Sequence, residues 1–356
     1  MPVHFHLQTP EGDDRPVYVS GNFCRWYPDV PVFQMQPTAP GAYELVLPDG
    51  LALPDLIEYK YNRGGWDSVE LSNTGEGVHN RTLSVTEGTA TDYVPHWRLS
   101  GRPFNPEFLP KVELLSDEFD VPQLQTTRRI NVLLPYDYHE TDKQYPVLYL
   151  HDGQNLFGEG VGFGSWNIDQ RMAVLAARRR HEVILVSIDH GEEERIKEFS
   201  PYRTRFGRGK GRQYLEFIAR TLKPAVDARY RTRSDHASTG IGGSSMGGLI
   251  SIYAGLMYPD VFGRLMIFSP SLWLSPKIYF DAIHFHKAEQ TKVYIYGGEA
   301  ESTYMVPNIQ RLHDAVRRQG IDDESIQFEV SVDPAGEHNE AHWSREFPKA
   351  VEWLFY

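Results

Sequence analysis

The sequence predicts an α/β domain with a mostly parallel sheet, preceded by a small all-β sandwich domain. Three observations carry this. Up to residue 94, short segments that are apolar at every second position are separated by Gly, Pro, Asp and Asn. From residue 113 to 356, strand-like apolar runs alternate with runs of helical period, the pattern of a parallel sheet covered on both faces. Between them, residues 95–112 carry Pro95, Pro103, Pro106 and Pro110 and no period, so they are expected to be a linker. At 356 residues the chain is also longer than one core of ordinary size fills, given roughly 150 residues per domain.

Taken in order, the first domain offers Val3/Phe5/Leu7, Val17/Val19, Tyr43/Leu45/Leu47, Ile57/Tyr59/Tyr61 and Leu83/Val85. These read as half-buried antiparallel strands of an immunoglobulin-like sandwich. In the second domain, Pro146–Leu150, Val183–Ile188 and Val293–Tyr296 are short apolar runs suited to strands buried on both faces. Tyr214, Phe217, Ile218 and Leu222 fall at helical spacing, as do Met305, Ile309, Leu312 and Val316. Ile326, Phe328, Val330 and Val332 alternate strictly, as a strand does.

Composition narrows the function. With 40% hydrophobic and 24% charged residues the chain is a folded one, not a disordered one. Lys+Arg 36 against Asp+Glu 48 leaves −12, which repels phosphate backbones and anionic lipid, so no nucleic-acid and no membrane partner is expected. Cys24 is the one cysteine, which excludes an intrachain disulfide scaffold and a cysteine zinc site. The first residues lack a basic flank and an apolar run, and no 18-residue apolar stretch occurs, so the expectation is a cytoplasmic protein. Oligomeric state is not legible.

The chemistry is carried by Gly243-Ser244-Ser245-Met246-Gly247, a G-x-S-x-G pentapeptide with small residues before it and an apolar helical run after it. A sharp strand-to-helix turn would lift Ser245 above the sheet edge, and side chains two positions either side would collide there. A serine hydroxyl needs a base and the base an orienting acid, in the chain order Ser, acid, His for the α/β-hydrolase fold. Downstream, Val293–Tyr296 runs into Gly297-Gly298-Glu299-Ala300-Glu301, which offers two carboxylates. The alternating strand ending at Val332 is followed by Asp333-Pro334-Ala335-Gly336-Glu337-His338, so His338 is the candidate base, with Glu301 or Glu299 as acid. The N–H groups of Met246 and of Gln154, which lies in the glycine turn after the Pro146–Leu150 strand, are the candidate oxyanion donors. His151 and Asp152 are expected to hold that loop. Such a relay uses neither a cofactor nor a metal. His338 and His342 lie four apart, but Asn339 stands where a zinc-protease helix needs Glu. His4/His6 and His284/His286 read as surface pairs, and Arg208, Lys210 and Arg212 as a substrate mouth or a solvated turn.

Residues 128–356 resemble the Putative esterase branch of the α/β hydrolases, which includes enterochelin esterase, S-formylglutathione hydrolase, feruloyl and acetyl-xylan esterases and the mycolyltransferase antigens. The matching segments are Tyr149–Phe157, Lys223-Pro224 with Asp227–Thr232, Gly243–Gly248 and Phe268-Ser269-Pro270-Ser271. The resemblance implies Ser245 as nucleophile, His338 as base, Glu301 as the acid three residues after Gly298, and Met246 and Gln154 at the oxyanion. It places Trp166 and Asp169 near the mouth of the site. The first 90 residues resemble a starch-binding-type carbohydrate-binding module through Tyr18–Phe23, Trp26, Glu58–Tyr61 and Asn80–Thr82. That implies Trp26 as a sugar-stacking ring, with Trp66 as a second platform. The expected activity is serine carboxylic ester hydrolysis of an acylated carbohydrate or related small ester. A siderophore trilactone esterase, an acyltransferase and a catalytically silent glycan-binding scaffold are the alternatives.

Overall fold

The computed structural model describes residues 2–48, 50–158, 160, 164–178, 182–204, 207–282, 291–317 and 325–356. It divides the chain into two units, Met1–Pro106 and Glu107–Tyr356.

The described residues of the first unit form strands and short 3-10 turns. The strands are β1 (His4–Gln8), β2 (Tyr18–Gly21), β3 (Gln36–Ala39), β4 (Ala42–Val46), β5 (Leu56–Asn62), β6 (Glu70–Leu71), β7 (Arg81–Ser84), β8 (Thr89–Tyr93) and β9 (His96–Trp97). One sheet runs β3-β4-β1-β8, a second β2-β5-β7, and β6 pairs with β9. The alternation read from sequence is what builds the core: Phe5, Leu7, Val19, Leu45, Ile57, Tyr59, Tyr61 and Leu83 are buried in one cluster. Two expectations need correction. The strands are not all antiparallel, because β1 and β8 pair in parallel. The stretch 95–112 is not simply a linker either. His96–Trp97 pairs with Glu70–Leu71, and Lys111 and Val112 already belong to the next strand. Two-residue strands are too short to show a period, which is why the reading missed them.

In the second unit the strands are β10 (Lys111–Val121), β11 (Thr126–Leu134), β12 (Val147–His151), β13 (Ile184–Ile188), β14 (Thr239–Ser244), β15 (Arg264–Phe268), β16 (Thr291–Gly298) and β17 (Ile326–Asp333). They form a sheet in the order β10-β11-β13-β12-β14-β15-β16-β17. The pairs β10–β11 and β11–β13 are antiparallel, and every pair from β13 to β17 is parallel. Register shifts within β10 mark bulges, and its residues are mostly exposed, so its hydrophobic pattern is broken. Successive residues of β12 point to opposite faces: Val147 and Tyr149 join one apolar cluster, Leu148 and Leu150 the other. The strict alternation of β17 suits an edge strand with one face open, and Val332 is exposed.

The described helices are α1 (Ile168–Ala177), α2 (Arg195–Glu198), α3 (Gly211–Phe217), α4 (Lys223–Arg229), α5 (Met246–Met257), α6 (Ile278–Ala282), α7 (Met305–Arg317) and α8 (Glu340–Phe355). A π turn over Ile218–Leu222 joins α3 to α4 just before Pro224, whose ring could not sit in an unbroken α ladder. None of the described helices is long and apolar enough to cross a membrane.

Candidate active site

The parallel register sets the site. Ser244 at the end of β14 lies beside Phe268 at the end of β15, Phe268 beside Tyr296, and Gly298 at the end of β16 beside Asp333 of β17. The turns that leave these strand ends therefore share one edge of the sheet, where sites of such sheets gather.

Ser245 occupies the turn between β14 and α5 with φ 56 and ψ −115. That conformation is costly for a side chain-bearing residue, on the order of 1–3 kcal/mol, and persists only where the surroundings impose it. Here the Ser245 amide donates to the Phe268 carbonyl at 2.9 Å, and its carbonyl accepts from the Ser271 amide at 3.0 Å. The flanking glycines touch. A Cβ on Gly243 would lie 3.2 Å from the Gly247 Cα, and one on Gly247 would lie 3.3 Å from the His151 Cβ. A side chain at either position would crowd its neighbour by a few tenths of an ångström.

On the neighbouring turns, Glu301 Oε2 and His338 Nδ1 are 2.6 Å apart, with the Glu301 side chain 1% exposed and that of His338 41% exposed. Glu301 Oε1 accepts from the Gly298 amide and from Ser269 Oγ, each at 2.7 Å. Glu299 is exposed, and its amide is spent on the Asp333 carbonyl. Two loops must come close for this pairing. A Cβ on Gly298 would stand 2.1 Å from the Gly336 carbonyl oxygen, so main chain touches main chain there. Beyond His338, Asn339 caps α8 by accepting from the His342 amide at 3.2 Å, which fixes the start of the helix just after His338.

The structure thus brings Glu301 and His338 together. The Ser245 hydroxyl instead shares a 3.2 Å hydrogen bond with Ser271, and a Ser245–His338 hydrogen bond is not among its described contacts. Met246 is buried as the first residue of α5, where an amide has no partner within the helix. Gln154 lies in a 3-10 turn, its side chain held by the His190 amide at 3.1 Å and the His190 carbonyl at 3.3 Å. Asp152 grips Arg195 through both carboxylate oxygens, at 2.5 and 2.8 Å, and His151 Nδ1 meets the Tyr214 hydroxyl at 2.9 Å. Complete burial pushes the His151 imidazole down to about 4; Asp152 opposes that and Arg195 adds to it. Burial likewise raises the Glu340 carboxyl, with His338 and Arg195 pulling the other way.

The other sequence candidates are placed as follows. Trp166 is 3% exposed and stacks on Phe268 at 5.4 Å, so its ring is packed in the interior. Lys210 pairs with Glu194, as a solvated turn would. His342 is engaged by Asp333 and Arg345, and no cluster of metal-ligating side chains occurs among the described residues. His284 and His286 lie outside the described residues. In the first unit, the Trp26 and Trp66 rings are 6.2 Å apart at 48°, and Trp66 is 38% exposed. Reading the sequence left Ser269, Ser271 and Trp343 without roles. The first two stood in a matched segment, but nothing in residue type told them from ordinary turn serines.

A mostly parallel sheet thus carries a strained serine at a strand-to-helix turn and a carboxylate–imidazole pair at the same edge. The chain belongs to the Putative esterase family, whose model matches residues 122–354, and it is an ester-hydrolysing enzyme. Uncharacterized protein YbbA of Bacillus subtilis (strain 168) is 26% identical over 245 residues, 64% of this chain and 92% of its own. An alpha-amylase of Niallia circulans is 33% identical over 100 residues, 27% of this chain and 8% of the amylase. The enterobactin esterase FES from Shigella flexneri, solved in the presence of enterobactin, superposes with a TM-score of 0.57 at 16% identity, over 99% of this chain and 92% of its own. At that identity the likeness is one of fold.

Proposed function

We propose that the protein is a serine carboxylic ester hydrolase whose relay is Ser245, His338 and Glu301. In this reading His338 takes the proton of Ser245 as the hydroxyl attacks an ester carbonyl. Glu301 holds the imidazole by Nδ1 and stabilises its charge, and the Met246 and Gln154 amides receive the oxyanion. Water then cleaves the acyl-enzyme. For the attack, Ser245 must leave Ser271 and turn to the imidazole, a tightening that free enzymes commonly reserve for the substrate complex. The observation that carries the reading is the 2.6 Å contact of a buried carboxylate with a half-exposed imidazole, two strands along from an elbow serine. Ser245→Ala is expected to lower turnover of a p-nitrophenyl ester by about three orders of magnitude or more and to abolish labelling by a fluorophosphonate. Wild-type turnover in that variant would end the assignment, and a wild type inert to the probe would leave a silent scaffold.

The substrate class we favour is an acylated carbohydrate, on the strength of the paired Trp26 and Trp66 rings in a β unit that resembles a starch-binding module. The large rings of Trp273 and Tyr304, exposed on the turns after β15 and β16, would suit a ring-bearing ester. The second reading, a siderophore trilactone, is favoured by one observation: the likeness to the enterobactin esterase runs through both units. Turnover on acetylated sugars, feruloyl esters and trilactones separates them, and competition of an alcohol with water tests acyl transfer.

A further inference from the structure

The acid of the relay is held by a chain of donors that runs away from the base. Glu301 Oε1 accepts from Ser269 Oγ at 2.7 Å, and Ser269 Oγ accepts from the Trp343 indole Nε1 at 2.9 Å. Ser269 is fully buried and Trp343 is 4% exposed, so water does not compete for these bonds. The direction of donation follows from chemistry. An indole nitrogen can only donate, so the Ser269 oxygen receives that proton and directs its own at the carboxylate. Ser269 also sits at φ 45, a left-handed conformation unfavourable to serine, and its amide donates to the Tyr296 carbonyl at 2.8 Å. The backbone is bent, and pinned, where it delivers this hydroxyl.

Two donors, Ser269 and the Gly298 amide, thereby occupy Oε1 and leave Oε2 to the imidazole. Trp343 touches the other partner too: its ring stands at 85° to that of His338, with centroids 5.0 Å apart. One indole thus packs against the base and, through Ser269, orients the acid.

We infer that Ser269 and Trp343 are positioning residues of the hydrolytic reaction, acting on His338 through Glu301. The inference rests on the proposed relay. It is tested in the full chain by steady-state turnover of p-nitrophenyl acetate with Ser269→Ala, Trp343→Phe and the double variant, alongside Ser245→Ala. Ser269→Ala removes one charge-assisted hydrogen bond and lowers kcat about tenfold to a hundredfold, with KM held within about twofold. Trp343→Phe keeps a ring against His338 while deleting the N–H, and lowers kcat about threefold to tenfold. Because the indole acts through the hydroxyl, the double variant is no slower than Ser269→Ala alone. The low-field proton resonance of the His338–Glu301 bond shifts or vanishes in Ser269→Ala. Unchanged kcat in the single variants, losses that multiply in the double, or an unmoved resonance would each overturn the inference. Should Ser269→Ala fail to fold, Trp343→Phe decides, and full turnover in it is refutation. Turnover that survives Ser245→Ala is a different result, because it removes the relay itself.

Discussion

Replacing Glu301 by glutamine changes one atom, and the structure says how that atom acts. Two donors, the Gly298 amide and the Ser269 hydroxyl, converge on Oε1 at 2.7 Å, while Oε2 faces His338 Nδ1 at 2.6 Å. The amide group of Glu301→Gln could turn its NH2 toward the first pair, setting donor against donor at a buried position at a cost of about 1–3 kcal/mol for each contact. It will therefore keep its oxygen there and point the NH2 at His338. An imidazole nitrogen that must accept from that NH2 carries no proton, so the proton moves to the other nitrogen, the one needed to receive from Ser245. In the proposed relay the base is then in the wrong tautomer, and the expected loss in kcat is about a thousandfold to ten-thousandfold, ~4–5.5 kcal/mol of barrier. Glu299→Gln, at an exposed side chain, should leave kcat within about twofold. Steady-state kinetics on a p-nitrophenyl ester read both. A larger loss from Glu299→Gln than from Glu301→Gln would refute the reasoning.

The buried His151 makes stability depend on pH. Its folded value is held at about 4, below the ordinary value of about 6.5, so between those limits the unfolded chain binds a proton that the folded one refuses. Stability therefore falls as pH drops through that window, by about 2 kcal/mol at pH 5 relative to neutral. His151→Asn should remove that fall, so that the slope of the urea midpoint against pH differs between the two proteins, and equal slopes in both would count against the account. Asp189, its carboxyl raised to about 6 by burial, acts with the opposite sign but is common to both and cancels. In the first unit, Trp66→Ala should weaken retention on an α-glucan several-fold and leave turnover of a small aryl ester unchanged. A wild type that fails to bind any α-glucan would discard the glycan reading.

Much of this was legible in the sequence, for identifiable reasons. Period-two alternation survives in β1 and β5 because each buries every second residue against one core. Continuous apolar runs mark β12 and β13 because both faces are covered. Where a strand is bulged and mostly exposed, as β10 is, burial no longer writes a pattern and the boundary slid. The elbow is spelled by glycines that only a collision requires, and the chain order of Glu301 and His338 follows from strands laid side by side. Ser269, Ser271 and Trp343 left no such mark. Each owes its place to a contact with a residue distant in sequence, such as the Trp343–Ser269 bond, and serine or tryptophan alone does not announce a partner.

The contact of Gly298 with Gly336 bears on how this enzyme can diverge. Glu301 and His338 are 37 positions apart in the polymer, yet their spacing is dictated by two bare backbones resting on one another rather than by adjustable rotamers. No alanine at 298 fits without prising the strand-end loops apart, which would part Glu301 from His338. Side chains are thus shut out at 298 and 336, whereas the turns bearing Trp273 and Tyr304 are exposed and have room for them.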